Sequence, residues 1–424
     1  MISSAPSSAG GIQRLYLVLL LLQTLAESLI WGINTLFLLD AGMNNTQAFA
    51  ANAFFTAGMV IFEVPTGVVA DTRGRRLSYL LGAFTLAAST LLYLFMWRVS
   101  APFWAWAVAS ALLGLGFTFF SGAFQAWLVD ALTSTGYFEQ GGTLEAVLAR
   151  GEIVQGAAML CGSVGGGAIA QATNLGVPYV LRSVLLALTI GVAFVWMRDA
   201  GFTPTRTAHP LEEVKQVLRG SFTHGFANPP VRWIMLEAPF AGGATIYAFY
   251  ALQPYLLRLY GNQRAYIIAG LAAALVAGAQ IAGGLLVPYV GRLFARRTSV
   301  LLFGTALSTV GLATIGLVPR FWIVLVLIVV WGLMFAAVSP VRQAYLNGLI
   351  DSRHRATVLS FDAMLGSGGA AIAQPGLGRV ADAFGYGASY VASAGIQSLS
   401  MPFIWLARRE NAASDSMAGP LVAG

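Results

Sequence analysis

Gly67-Val-Val-Ala-Asp71-Thr-Arg73-Gly74-Arg75-Arg76 packs four charges into ten residues, between two long apolar runs, 47–70 and 77–96. Each run is long enough to cross a hydrocarbon core of ~30 Å. The stretch therefore reads as the interfacial turn of a membrane hairpin. Asp71 closes the first helix and lies beside arginines where low water content strengthens ion pairs. Gly74 permits a sharp turn, and Gly67 is expected to let neighbouring helices approach closely.

Working outward, the same pattern fills the chain. Of 424 residues, 57% are hydrophobic and 10% charged, with a mean hydropathy of +0.73. Soluble domains carry about 25% charged residues. Too few charges remain to cover a water-facing surface, which excludes a soluble enzyme, a disordered chain and a disulfide scaffold. Cys161 is the single cysteine, so no internal disulfide can form. Twelve membrane-length stretches can be marked, at 15–39, 47–70, 77–96, 103–131, 143–172, 178–197, 232–257, 265–288, 299–318, 321–349, 357–380 and 388–407. The expected fold is an all-α membrane protein of twelve transmembrane helices. The first run exceeds the apolar core of a signal peptide and no small-residue cleavage site follows it, so it is read as a membrane helix.

Basic residues orient the chain. With both termini cytoplasmic, the inner segments hold Arg14, Arg73, Arg75, Arg76, Arg198, Arg206, Lys215, Arg219, Arg232, Arg292, Arg296, Arg297, Arg353, Arg355, Arg408 and Arg409, against Arg98, Arg258, Arg264 and Arg320 outside. This bias accounts for the net charge of +7 and argues against a nucleic-acid partner, because the charges fall in short gaps rather than on one face. The expected location is a cell membrane, inner or plasma. The longest polar stretch, 198–231, separates an N-terminal bundle (1–197) from a C-terminal one (232–407), with a cytoplasmic tail at 408–424. Pro210 followed by Leu211, Val214, Val217 and Leu218 predicts a short surface helix in that linker.

The halves echo each other. Gly67–Leu86 aligns with Pro288–Leu307, keeping Val, Arg-Arg, Ser and Leu-Leu in register, and Gly162–Gln171 aligns with Gly366–Gln374 with one gap. Both echoes pair a span with the one six places later, as in transporters built from two parallel repeats.

The 67–76 stretch closely resembles the loop 2–3 signature of the major facilitator superfamily: glycine, three residues, Asp, a basic residue, any residue, glycine, any residue, then basic residues. Glu63-Val-Pro65-Thr-Gly67 and Ala126-Trp-Leu-Val-Asp130 are also similar to bacterial members, and Thr72 stands where the family usually has a basic residue. The resemblance implies two six-helix bundles working by alternating access, no cofactor, and a monomer that moves a small molecule. It also implies a cytoplasmic gate made by Gly67, Asp71, Arg73, Gly74, Arg75 and Arg76 with Asp130, the carboxylate that ends span four. Two signatures of the family's drug–proton antiporters are missing. Ser110 stands where they carry arginine before Gly114-Leu-Gly116, and Gly166-Gly167 where they carry Gly-Pro.

Ionisable groups at membrane depth cost at least ~2.5–3.5 kcal/mol on insertion scales and mark candidate sites. Glu27 lies near the middle of span one and shares a helical face with Gln23 and Asn34. Glu152, with Arg150 nearby, lies near mid-depth in span five. Glu27 is either a permanently protonated, hydrogen-bonded group or a carboxylate that binds and releases a proton between two access states. Arg150 is an alternative counter-ion for Glu27 or Glu152. Glu63, Glu237, Arg342 and Asp362 lie nearer the cytoplasmic ends of their spans and are expected to serve structure or gating. Tyr247, Tyr250 and Gln253 in span seven are expected to line a cavity for an apolar or cationic solute, with Tyr255 equally suited to a lipid interface. Pro239, Gly242 and Gly243 mark a bend there.

These residues point to proton-coupled efflux of a small amphipathic molecule, with import of a nutrient or siderophore-like solute as the alternative. An intramembrane enzyme fits less well. His209, His224 and His354 fall in loops, no metal-ligand or Ser/His/Asp cluster shares a depth, and no phosphate-binding loop is present. A membrane sensor would normally add a soluble domain, which the tail after Arg409 is too short to be.

Overall fold

The first span does not run straight. Helix α1 (Ala9–Trp31) stops at Gly32, Ile33 leaves helical geometry at φ −129° and ψ 0°, and α2 (Asn34–Asp40) resumes. A side chain on Gly32 would press on the backbone of Ala269 and Gly270 at 3.0–3.1 Å. Close packing therefore explains the small residue at the break. In this computed structural model residues 8–204, 215, 219, 221–351 and 354–417 are described.

The elements that follow are α3 (Asn45–Arg73), α4 (Arg75–Val99), α5 (Phe103–Phe120), α6 (Ala123–Ser134), α7 (Leu144–Ala172) and α8 (Gly176–Trp196). After a π-helical turn (Ser221–Phe226) come α9 (Pro229–Tyr260), α10 (Tyr266–Leu293), α11 (Arg297–Leu317), α12 (Phe321–Asn347), α13 (Arg355–Ser398) and α14 (Ser400–Arg409). Paired where a span is broken and divided where α13 kinks at Gly385, they give the twelve expected spans. Nine helical segments among the described residues are long and apolar enough to cross a membrane. The helices α9 and α13 fall outside those nine and carry Glu237 in one, Asp362, Arg379 and Asp382 in the other.

Span four breaks at Ser121–Gly122, with Gly122 at φ +69°. Span seven does not break: α9 runs 32 residues through Pro239 and Pro254. Its glycines serve contact instead, because Gly242 lies on the Gly366 carbonyl of α13, and Gly369 of α13 lies on Pro239. The expected bend is thus replaced by close helix packing, the use small residues have in membranes. The surface helix expected over 210–218 lies outside the described residues, apart from Lys215.

Contacts divide the chain into two units. The first comprises residues 1–42, 54–211 and 264–274, and the second 43–53, 212–263 and 275–424. In the first, α1 packs on α7 through Gly162 and Gly166, whose missing side chains leave room for Ser28 and Leu29, and Ser28 Oγ donates to the Ala158 carbonyl at 3.2 Å. In the second, α9 packs along α13, and the beginning of α3 joins them.

That last junction is held by one carboxylate. Asp382 accepts from the backbone N–H of Asn45 and Thr46, both at 2.9 Å, from Asn45 Nδ2 at 2.8 Å and from Thr46 Oγ1 at 2.6 Å. It therefore satisfies the first two backbone donors at the N-terminus of α3, and Asn44 Oδ1 accepts from the third, Gln47. Burial pushes this carboxyl up, but the bonds from Thr46 and Asn45 outweigh it and hold it below the usual carboxylate range. A depressed folded value means that the contribution is complete above about pH 4 and disappears as acid protonates Asp382 in the folded chain. Asp382→Asn is expected to lower stability by about 0.5–1 kcal/mol, the low end for a cap because the group is exposed. Thermal unfolding should show that deficit between about pH 5 and 8 and its progressive disappearance as pH falls below the ordinary carboxylate range.

Candidate functional site

The loop between α3 and α4 is one residue long. Gly74 has φ +113°, which disfavours any side chain, and a Cβ there would strike Asp199 Oδ2. Asp199 occupies that space because it caps α4, accepting from the Arg76 backbone N–H at 2.8 Å. Arg75 turns back to an ion pair with Asp71 and lies 3.7 Å from Asp130, with the Phe202 ring 5.7 Å from its guanidinium carbon. Arg76 donates to the Phe194 carbonyl at 2.7 Å. Trp127 Nε1 donates to the Arg198 carbonyl at 2.7 Å, and Gly201, at φ +75°, lies against the Asp130 carbonyl. The chain after the sixth span thus folds back over the motif. One guanidinium between two carboxylates is a cluster that changes in either charge or position would disturb.

Two expectations about this loop need correcting. A Cβ on Gly67 would meet nothing within 4 Å, so close helix approach does not explain that glycine here. Arg73 is exposed and stands apart from the Asp71–Arg75–Asp130 group. Glu63 accepts from Ser121 Oγ at the break in span four.

The second unit repeats the capping plan. Asp415, 4% exposed, accepts from the Thr298 backbone N–H at 2.8 Å and from Thr298 Oγ1 at 2.9 Å, capping α11. Arg297 donates to the Ser414 carbonyl and Met417 N–H to the Ala295 carbonyl. The residues after Arg409, which read as a plain tail, supply to α11 what Asp199 supplies to α4.

Deeper in the first unit a polar network surrounds Glu27. Gln23 Nε2 donates to Glu27 Oε1 at 3.1 Å, and Tyr79 Oη donates to Gln23 Oε1 at 3.4 Å. The cation acting on Glu27 is Arg182 of α8, 2% exposed, whose Nε and Nη2 have no hydrogen-bond partner among the described residues. Its guanidinium carbon stands 6.0 Å from the Phe117 ring. Arg150, the alternative counter-ion considered for Glu27 or Glu152, is exposed and donates to Gln13 at 3.2 Å. Glu152 is exposed and acts electrostatically on Tyr16. Asn34 accepts from Tyr179 Oη at 2.9 Å, at the break of span one. Arg182 lies six residues into α8, near a helix end where long cations normally reach water. Its presence in an apolar run was the available signal.

In the second unit Arg342 makes four hydrogen bonds. It bridges Asp362 through Nη1 at 2.5 Å and Nη2 at 2.9 Å, Glu237 through Nε at 3.1 Å, and the Ile234 carbonyl through Nη2 at 3.1 Å. Two buried carboxylates against one guanidinium leave a formal charge of −1. These groups line a cavity of about 460 Å³ shared with Thr305, Trp331, Phe335 and Gln397. Tyr247, Tyr250 and Gln253 are not among its lining residues. Tyr247 is fully buried, donates to Ser389 Oγ at 2.6 Å and packs 4.9 Å from Phe49. Tyr255 is also buried, donating to the Ile315 carbonyl at 3.0 Å rather than facing lipid. Gln253 is buried, and the Tyr250 ring lies 5.6 Å from Phe249.

Comparison with known proteins supplies the remaining context. The chain matches the Major Facilitator Superfamily over residues 16–294 and 265–420. No curated protein matches it. Among solved structures, a mutant of the nucleoside transporter NupG superposes with a TM-score of 0.77 at 12% identity, covering 93% of this chain and 99% of that one. A bacterial homologue of the human lysosomal transporter Spinster, inward-facing and unoccupied, gives 0.70 at 15% identity over 98% and 100%. A POT family transporter in complex with a thioalcohol-conjugated peptide gives 0.69 at 12% identity over 94% and 96%. At these identities the likeness concerns the fold. With the family matched over most of its length, this chain belongs to the major facilitator superfamily of membrane transporters and is not an enzyme.

Proposed function

We propose that the protein is a proton-coupled transporter of a small amphipathic solute, with Glu27 as the proton-carrying group. The observation that carries this reading is that Glu27 has two unlike neighbours, an amide in hydrogen-bond contact and a buried arginine that acts on it electrostatically without touching it. The Gln23 amide can donate to a carboxylate, more strongly, or to the carbonyl oxygen of a carboxylic acid, so it keeps a hydrogen bond to Glu27 in either state. Arg182, buried with two nitrogens lacking partners, offers a charge that an ionised Glu27 satisfies and a protonated one does not. Protonation of Glu27 therefore changes the electrostatics of the first unit, as coupling requires. Both termini are assigned to the cytoplasmic side on the arginine bias, and the Asp71–Arg75–Asp130 cluster is assigned to gating there.

A screen of small amphipathic compounds by thermal stabilisation of the purified chain, repeated from pH 5.5 to 8.5, tests the reading. A ligand at 100 times its Kd stabilises by about 2.7 kcal/mol. The expected hit shifts unfolding by an amount that depends on pH in the wild type and does not in Glu27→Gln. The same pH dependence in both proteins would remove Glu27 from the coupling. Uptake of the hit into right-side-out and inverted vesicles then gives the direction.

A further inference from the structure

The cavity in the second unit is chemically lopsided. Its charged groups are Glu237, Asp362 and Arg342, and Arg342 directs four hydrogen bonds at the two carboxylates and the Ile234 carbonyl. With all three groups ionised the cavity carries a formal charge of −1, and the one basic residue among its lining is already engaged by the two carboxylates. A second observation, independent of the ion pairs, points the same way. Gln397 lines the cavity, is 5% exposed, and its Oε1 acceptor has no hydrogen-bond partner among the described residues. A buried acceptor without a donor costs about 1–3 kcal/mol; Oε1 itself lies within the wall, so a ligand N–H recovers that cost once the amide turns toward the cavity. The remaining wall is apolar and aromatic, with Trp331, Met334 and Phe335 along α12. Aromatic faces attract organic cations, and about 460 Å³ lies within the range of small-molecule sites.

We infer that this cavity is a binding site for an amphipathic organic cation bearing N–H donors, with its charged end toward Glu237 and Gln397 and its apolar body against Trp331 and Phe335. An anion is disfavoured by the two carboxylates. A neutral lipid chain would leave Gln397 Oε1 and the excess charge uncompensated. The inference names a substrate class for the transport reading and rests on it for physiological meaning, but binding is measured apart from transport or coupling.

The test uses the full chain in lipid nanodiscs and ethidium, an aromatic cation with amino N–H groups, followed by fluorescence anisotropy. Fluorescein, an anion of similar size, is the comparison. Saturable ethidium binding at least about tenfold tighter than fluorescein is expected from one net charge and one recovered hydrogen bond. Gln397→Leu, which leaves the Arg342 contacts in place, should weaken ethidium about five- to tenfold. Trp331→Leu should weaken it about threefold or more. Both variants are checked by thermal unfolding, so a folding defect is seen as such. Equal affinity for the two dyes, or ethidium binding unchanged by both substitutions in folded protein, would overturn the site. Ethidium that binds as expected but is not moved by a pH gradient would leave the site standing and count against the transport reading alone.

Discussion

In proteoliposomes, Glu27→Gln is expected to abolish solute accumulation driven by a pH gradient while retaining exchange of labelled for unlabelled solute. The size of the effect follows from thermodynamics. With one proton carried per cycle, a gradient of one pH unit supplies about 1.4 kcal/mol and supports roughly tenfold accumulation at equilibrium. The amide carries no proton, so accumulation should fall to about onefold at any gradient. Exchange should survive, because glutamine keeps the hydrogen bond to Gln23 and the shape of the side chain. Full accumulation in Glu27→Gln would assign coupling elsewhere.

The largest effect on stability is expected at Arg342. Its removal by Arg342→Met leaves Glu237 and Asp362, 5% and 7% exposed, beside each other without their shared cation. Breaking a buried ion pair in this way costs about 3–5 kcal/mol. Neutralising the set together should be far milder, because no uncompensated charge remains. Thermal unfolding in detergent should therefore rank wild type and the triple variant Glu237→Gln/Asp362→Asn/Arg342→Met well above Arg342→Met alone. A single variant as stable as the wild type would show that the triad contributes nothing to folding.

What the sequence disclosed follows the range of the forces involved. Spans and hairpins were legible because hydropathy is local and a membrane demands about 20 apolar residues per crossing. The 67–76 loop was legible because its charges and glycine act within one turn of helix, as the Asp71–Arg75 pair shows. The caps were not. Asp199 serves Arg76, and Asp415 serves Thr298, over more than a hundred residues, and a lone aspartate after a span carries no local sign of its partner. Breaks were legible only as glycines: Gly32 and Gly122 interrupt helices, whereas Gly242 and Gly243 pack within a continuous one. In the candidate site, Glu27 and Gln23 were found from helical spacing, since both lie on α1. Arg182 comes from α8 and reaches Glu27 only through tertiary packing, so the nearer Arg150 was the natural partner to name. The tyrosines of span seven illustrate the opposite error. Density of aromatic residues suggested a cavity, but Tyr247 and Tyr255 satisfy their hydroxyls inside the packed second unit.

The central claim is that Glu27 changes protonation state in the working protein. Infrared difference spectra of the chain in lipid, recorded while pH is stepped between 5.5 and 8.5, read this directly through the C=O stretch of a protonated carboxylic acid. The account predicts a band that grows on acidification in the wild type and is missing in Glu27→Gln. The same band, with unchanged amplitude and midpoint in both proteins, would contradict it.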